Sequence, residues 1–265
     1  MDNNQLRTIC EQLIRSERAY LIAPAGYGKT QAISQAVALS DGGKQLVLTH
    51  THAGVQSLRN RLRQLKVPTN NYEVDTIAGW ALKLVICYPT TASLSIQIPP
   101  KSSEWKHVYN ATCHILQQPF MRNVIHASYV GVFVDEYQDC TITQHTLVLE
   151  LAKILPCRVL GDPLQGIFGF ADEPLVDWEN DVSNEFAKLP SPTIPMRWIN
   201  RNERLGKWLA KARDCLCENR AIDLESDEIR WIQYNEDPRD FDDKGRQACY
   251  SKVKTPGTVI AIFPT

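Results

Sequence analysis

The chain has 265 residues, long enough for one large domain or two modest ones. It carries a formal net charge of -1, which neither favours nor excludes a nucleic-acid partner, because a local basic groove is invisible in a sum over the chain. No apolar run approaches the roughly 18 residues needed to cross a bilayer, and the opening Met1-Asp2-Asn3-Asn4-Gln5 lacks the basic-then-apolar pattern of a signal peptide, so the expectation is a cytoplasmic protein with no membrane partner.

In chain order the pattern alternates short apolar strands with amphipathic helices and predicts an α/β parallel sheet with helices on both faces. Strands are expected over 19–23 and 45–49, and helices over 29–39 and 53–65. The second of these helices ends in Arg59, Arg61 and Arg63, followed by Lys66. Those charges are read as a solvated helix face. An apolar helix is predicted over 77–87, a proline-containing loop over 88–103, and helices over 104–117 and 120–126. Residues 130–134 form a continuous apolar run, as expected of a buried central strand. A helix over 142–155 and a strand over 158–161 follow. Beyond them the rhythm loosens: a long helix over 200–219, a strand over 228–233, an acidic loop over 235–243, and a last apolar strand over 257–263 with nothing after it to cover it.

The eight cysteines are Cys10, Cys87, Cys113, Cys140, Cys157, Cys215, Cys217 and Cys249. They show no Cys-x-x-Cys pair or zinc spacing, and are read as reduced buried thiols.

Two stretches carry chemistry. Ala23-Pro24-Ala25-Gly26-Tyr27-Gly28-Lys29-Thr30 lies between a predicted strand and a predicted helix, the context a phosphate-binding loop requires. Glycines let the backbone turn its N–H groups inward, and the helix N-terminus adds partial positive charge. In such a loop Lys29 reaches the β- and γ-phosphates of ATP and the Thr30 hydroxyl ligates Mg²⁺. Ala23 stands where the general pattern has its first glycine. The second stretch, Val132-Phe133-Val134-Asp135-Glu136, ends an apolar strand in two carboxylates. Charges there are costly unless a metal or partner uses them, so Asp135 is expected to hold Mg²⁺ and Glu136 to polarise the attacking water.

With its continuation, Asp135-Glu136-Tyr137-Gln138-Asp139 resembles the Asp-Glu-(aromatic)-Gln-Asp signature of UvrD/Rep-type superfamily-1 helicases. Gly161-Asp162-Pro163-Leu164-Gln165-Gly166-Ile167-Phe168 resembles that family's Gly-Asp-x-x-Gln-Ser-Ile-Tyr motif. Thr49-His50-Thr51-His52-Ala53 is similar to its Thr-Phe-Thr-Asn segment and Asp75-Thr76-Ile77-Ala78-Gly79 to its Thr-Phe-His segment, while Met196-Arg197 stands where the family has Tyr-Arg. The order and spacing cover about the first 200 residues.

The resemblance implies a P-loop, RecA-like fold and an ATP-dependent DNA helicase or translocase motor. It implies ATP and Mg²⁺ as cofactors. Its partners would be single-stranded or tailed duplex DNA and a nuclease or other subunit of repair or antiviral defence. It assigns γ-phosphate sensing to Gln165, stabilisation of phosphoryl charge to Arg197, and strand contacts to Thr51, His52, Thr76, Phe168 and Phe170. It gives adenine recognition to Gln5 or Gln12. His50 departs from the family's phenylalanine, Ala78 from its histidine, and Pro195 from a common asparagine.

The expected organisation is 1–84 and 129–220 for the ATP-binding lobe, 85–128 for a short helical insert, and 221–265 for a connection and the start of an incomplete second lobe. The family's later motifs are absent, so the chain is read as the N-terminal portion of a motor. The alternative is a nucleotide-dependent switch or partner-binding module that unwinds nothing.

Overall fold

Strands whose residues are apolar on both faces must be covered on both faces, and the sheet of this protein is covered in that way. The computed structural model describes residues 3–40, 42–166, 173–199, 201–225, 227–229, 232, 235 and 237–249. Helix α1 (Asn3–Arg15) leads into β1 (Arg18–Ile22), followed by α2 (Lys29–Leu39), β2 (Gln45–Thr49), α3 (His52–Gln64), β3 (Tyr72–Thr76), α4 (Ile77–Cys87), α5 (Pro89–Ala92), α6 (Trp105–Leu116), α7 (Pro119–Ser128), β4 (Gly131–Val134), α8 (Ile142–Ala152), β5 (Cys157–Gly161), α9 (Ser183–Glu185) and β6 (Ala187–Lys188). The six strands are all parallel, in the order β3-β2-β4-β5-β1-β6.

Alternate residues supply two cores. Tyr20, Leu46, Leu48, Val132, Val134 and Val159 join α4, α6 and α8 on one face. Leu21, Val47, Phe133 and Leu160 join α1, α2 and α3 on the other. Helix α1 buries Leu6, Ile9, Cys10 and Leu13, the three-and-four spacing of one helical face. Edge strand β3 buries Tyr72, Val74 and Thr76 and turns Glu73 and Asp75 outward. The Arg59 guanidinium donates to the Val74 carbonyl (2.7 Å) along that edge.

The molecule divides into two units, Met1–Arg197 and Trp198–Thr265. Within the second, α10 (Glu203–Cys217) is capped by Asn202, whose side chain accepts from Leu205 N–H, and Gly206 packs against Trp198. Helix α11 spans Pro238–Cys249.

The α/β class with helices on both faces is as expected. Some local expectations require correction. Residues 88–103 are not loop throughout, since Pro89 starts the short α5 and a 3₁₀ turn covers Ser102–Glu104. Residues 238–249 are helical, so the expected loop over 235–243 gives way to helix at Pro238, with proline in the first turn, where its missing N–H costs nothing. Cys87 and Cys217 are exposed, whereas Cys10, Cys113, Cys140, Cys157 and Cys215 are buried and free. Of the strand expected over 228–233, Glu228 and Ile229 lie in a turn and bend and half of the residues lie outside the described ones, as do the strand over 257–263, Phe168 and Phe170. Among the described residues no helix is long and apolar enough to cross a membrane.

Candidate nucleotide site

In a parallel sheet the C-terminal ends of all strands share one edge, and ligand sites form in the crevice there. That edge carries the loop after β1, Thr51 and His52 after β2, Thr76 at the end of β3, Asp135 and Glu136 after β4, and Asp162 and Gln165 after β5. The topology therefore gathers motifs spread over more than 140 residues of sequence.

The loop after β1 turns through Gly26 (φ 83°) and Gly28 (φ 91°), left-handed conformations in which a Cβ would be strained. Ala23 N–H donates to the Gly161 carbonyl (3.0 Å), extending the β1–β5 ladder into the loop. Gly28 caps α2, so Lys29 and Thr30 are its first residues. Lys29 is buried; its ammonium donates to the Ala23 carbonyl at 3.0 Å and lies 3.6 Å from Glu136 Oε2. The Thr30 hydroxyl donates to Asp135 Oδ2 (3.2 Å).

Asp135 is 3% exposed. Burial pushes its carboxyl up to about 6, and neighbouring Glu136 adds to the rise, while Lys29, the Glu136 N–H and the Thr30 hydroxyl oppose it. Burial and then Glu136 likewise raise Asp139 to about 6. A buried carboxylate beside a helix-terminal hydroxyl suits a hard divalent cation that takes a few protein oxygens and completes its shell elsewhere. Thr30 and Asp135 therefore fit Mg²⁺.

Glu136 adopts a left-handed backbone (φ 54°, ψ 43°) at the start of a 3₁₀ turn, Tyr137–Asp139. For a residue with a Cβ that conformation needs surrounding structure to hold it. Tyr137 is fully buried; its hydroxyl lies 2.7 Å from His145 Nδ1, and its ring packs edge-on against Trp178 and Phe186. Cys140 Sγ lies 3.4 Å from His50 Nε2, joining the loops after β4 and β2. Burial holds His50 down at about 4 despite the opposing pull of Glu136. Gln138, 4% exposed, donates from Nε2 to Glu136 Oε2 (3.0 Å) and accepts the Asp162 N–H on Oε1 (2.9 Å). Asp162 Oδ2 in turn accepts from Gln165 Nε2.

The remaining expected residues are placed as follows. Arg197 N–H donates to the Gly26 carbonyl (2.9 Å), which places an exposed arginine beside the loop after β1. Gln5 donates to Thr193 Oγ1 (3.1 Å), and its Oε1 is buried with no hydrogen-bond partner among the described residues. Gln12 lies about two turns further along α1. Thr51 and Thr76 cap α3 and α4, their hydroxyls accepting Gly54 N–H (3.0 Å) and Gly79 N–H (2.9 Å); His52 is exposed at the first position of α3. The partners His145, Trp178 and Thr193 were not among the residues the motifs singled out. Only the tertiary fold brings them in, and no local spacing marks them.

Fold and site define an α/β protein with a parallel sheet whose phosphate-loop and paired-carboxylate motifs meet at one edge. Residues 100–173 match the model of the UvrD/REP helicase N-terminal domain, so that segment is similar to such a domain. The glycine loop after β1 lies outside the matched segment, and the Thr30–Asp135 contact joins it to the acidic motif. Similar solved structures include Arterivirus nonstructural protein 10 (helicase) in complex with DNA, at 17% identity over 70% of this chain and 38% of that one, TM-score 0.38. A crystal structure of Arterivirus nonstructural protein 10 (helicase) is similar at 18% identity over 70% of this chain and 37% of that one, TM-score 0.38. The matched part of this chain thus spans well under half the length of either. No curated protein matches the chain.

Proposed function

We propose that this chain is the ATP-binding and ATP-hydrolysing part of a DNA helicase or translocase motor. The observation that carries the reading is the meeting of Thr30 with Asp135 (3.2 Å) and of Lys29 with Glu136 (3.6 Å), which sets a phosphate-loop hydroxyl and ammonium against two carboxylates from a distant strand. In this reading the loop Ala23–Thr30 wraps the phosphates with its N–H groups and Lys29 neutralises the β- and γ-oxygens. Thr30 and Asp135 hold Mg²⁺, which when bound supplies charge neutralisation at the phosphates. Glu136 orients and polarises the attacking water, Gln165 faces the γ-phosphate, and Arg197 stabilises charge on the transferred group. Between the two glutamines of α1, the unpartnered Oε1 favours Gln5 for the adenine amino group.

Single-stranded DNA is the proposed partner. Thr51, His52 and Thr76 share the site's edge of the sheet, where a strand laid across would touch the first turns of α3 and α4. A hydroxyl that accepts a helix N–H still has its own proton to give, so capping and a phosphate contact are compatible. The experiment is ATP hydrolysis by the purified chain with and without single-stranded DNA over a salt series. Stimulation by DNA that weakens as salt rises supports the motor reading. Hydrolysis indifferent to DNA at every salt concentration would refute it.

A further inference from the structure

The Gln138 side chain spans two loops that the proposed chemistry treats as separate. It stands on the 3₁₀ turn after β4, is buried, and both ends of its amide are engaged. Nε2 donates to the Oε2 oxygen of Glu136, the same oxygen that Lys29 approaches, and lies 3.5 Å from Asp139 Oδ2. Oε1 accepts the N–H of Asp162, and Asp162 in turn accepts from Gln165. A continuous hydrogen-bonded path therefore runs Glu136–Gln138–Asp162–Gln165. Gly161 sharpens the fit, because a Cβ there would stand 2.6 Å from Gln138 Oε1 and 2.7 Å from the Trp178 ring. The amide cannot swing toward β5, and its rotamer is fixed by packing as well as by bonding.

Resting on the nucleotide-site reading above, we infer that Gln138 is the positioning residue that ties the water-polarising carboxylate of Glu136 to the loop carrying Gln165. Glu136 is about two-fifths exposed and its backbone is left-handed, so neither burial nor regular structure fixes its carboxylate. Lys29 is a poor anchor, since a phosphate-binding ammonium takes the charges of the nucleotide instead. Gln138 is a neutral donor that holds one carboxylate oxygen and leaves the other for water. Through Asp162 it makes the position of Gln165 and the position of Glu136 depend on one another. The gain is kinetic: a carboxylate held within a narrow range of orientations stays aligned with the water it polarises.

Two variants of the full chain test this beside Lys29→Ala. Gln138→Met keeps length and volume and removes both hydrogen bonds. Gln138→Glu keeps an acceptor for Asp162 N–H but sets a carboxylate against Glu136. Turnover and KM for ATP are measured, together with affinity for ADP with aluminium fluoride relative to ADP alone, which reads transition-state complementarity without turnover. The expected result for both variants is a fall in kcat on the order of 10²-fold with KM changed by less than about threefold. The preference for the aluminium fluoride complex should fall at least about tenfold.

If Lys29→Ala binds ATP as the parent does, the nucleotide-site reading itself fails. If Lys29→Ala loses ATP while both Gln138 variants keep the parental kcat and aluminium fluoride preference, the positioning role alone is overturned. A rise in KM matching the fall in kcat also overturns it, since Gln138 would then merely support the phosphate loop. So does a parent chain that neither hydrolyses ATP nor prefers the transition-state complex.

Discussion

The Thr30 hydroxyl reaches Asp135 across 105 positions of sequence to make a 3.2 Å hydrogen bond. Strand order makes this contact possible: β5 lies between β1 and β4, so the phosphate loop and the acidic strand end flank a single strand. Predictions about the site follow from which atoms this juxtaposition brings together.

Replacing Lys29 by alanine should weaken binding of a fluorescent ATP analogue roughly 10- to 100-fold, the worth of a hydrogen bond to a charged group in a site where water replaces it poorly. The ammonium is buried, with a hydrogen bond to the Ala23 carbonyl and an ion pair to Glu136, so the overall fold should survive the change. Unaltered affinity in an equilibrium titration would remove the phosphate-loop assignment.

If Glu136 has the proposed role, Glu136→Gln should keep nucleotide affinity and lower turnover on the order of 10²- to 10⁴-fold, since size and hydrogen bonding persist while the carboxylate charge is lost. Comparing single-turnover hydrolysis with analogue binding separates the two effects. Parental turnover in the variant would exclude Glu136 as the group that activates water.

Gly161→Ala should cost about 1–3 kcal/mol, because the added methyl meets Gln138 Oε1 at 2.6 Å and the Trp178 ring at 2.7 Å, and neither can retreat freely. In a chain of this size that is a fall of roughly 5 °C in Tm by calorimetry. An unchanged Tm would mean that the β5 end has room the packing does not suggest.

His50 gives a pH signature. Burial holds its folded pKa at about 4, below the ordinary 6.5, so the unfolded chain takes up a proton that the folded chain refuses. Its contribution to stability is complete above about 6.5 and is lost as pH falls toward about 4. The groups facing it are Glu136, which pulls its pKa upward, and the Cys140 thiol. Asp135 and Asp139, raised to about 6, act oppositely, their stabilising share declining as pH rises from below 4 through 6. The difference between parent and His50→Phe isolates the histidine. At pH 5 the parent should have lost about 2 kcal/mol more than the variant, relative to pH 7. Parallel Tm-against-pH curves would show that His50 titrates normally.

The parts of this molecule readable from its sequence are those where one physical signal dominates. The continuous apolar run before Asp135 is the buried strand expected of it, and Lys29–Leu39 and Ile77–Cys87 are helices at the expected bounds. Strand β3 escaped notice because Tyr72, Val74 and Thr76 alternate with two acids, and an edge strand half open to water has little apolar mass. Helix α1 was not among the expected elements, although Leu6, Ile9, Cys10 and Leu13 hold helical spacing; the stripe is short and sits among polar and charged residues. In the candidate site, Lys29, Thr30, Asp135 and Glu136 were legible because loop chemistry and strand ends are local. Gln138 was quoted as part of a motif, but its bridge to Asp162 exists only once β4 and β5 are paired.

Arg59 has a consequence at the other end of the sheet order. Strand β3 is an edge whose outer carbonyls would otherwise await a new strand, and the guanidinium already occupies the one at Val74. Any chain that would extend the sheet there must first displace that cation from the acceptor it holds. Among the described residues the longer edge of the sheet is thus blunted at one acceptor by a cation, which disfavours edge-to-edge association in concentrated protein.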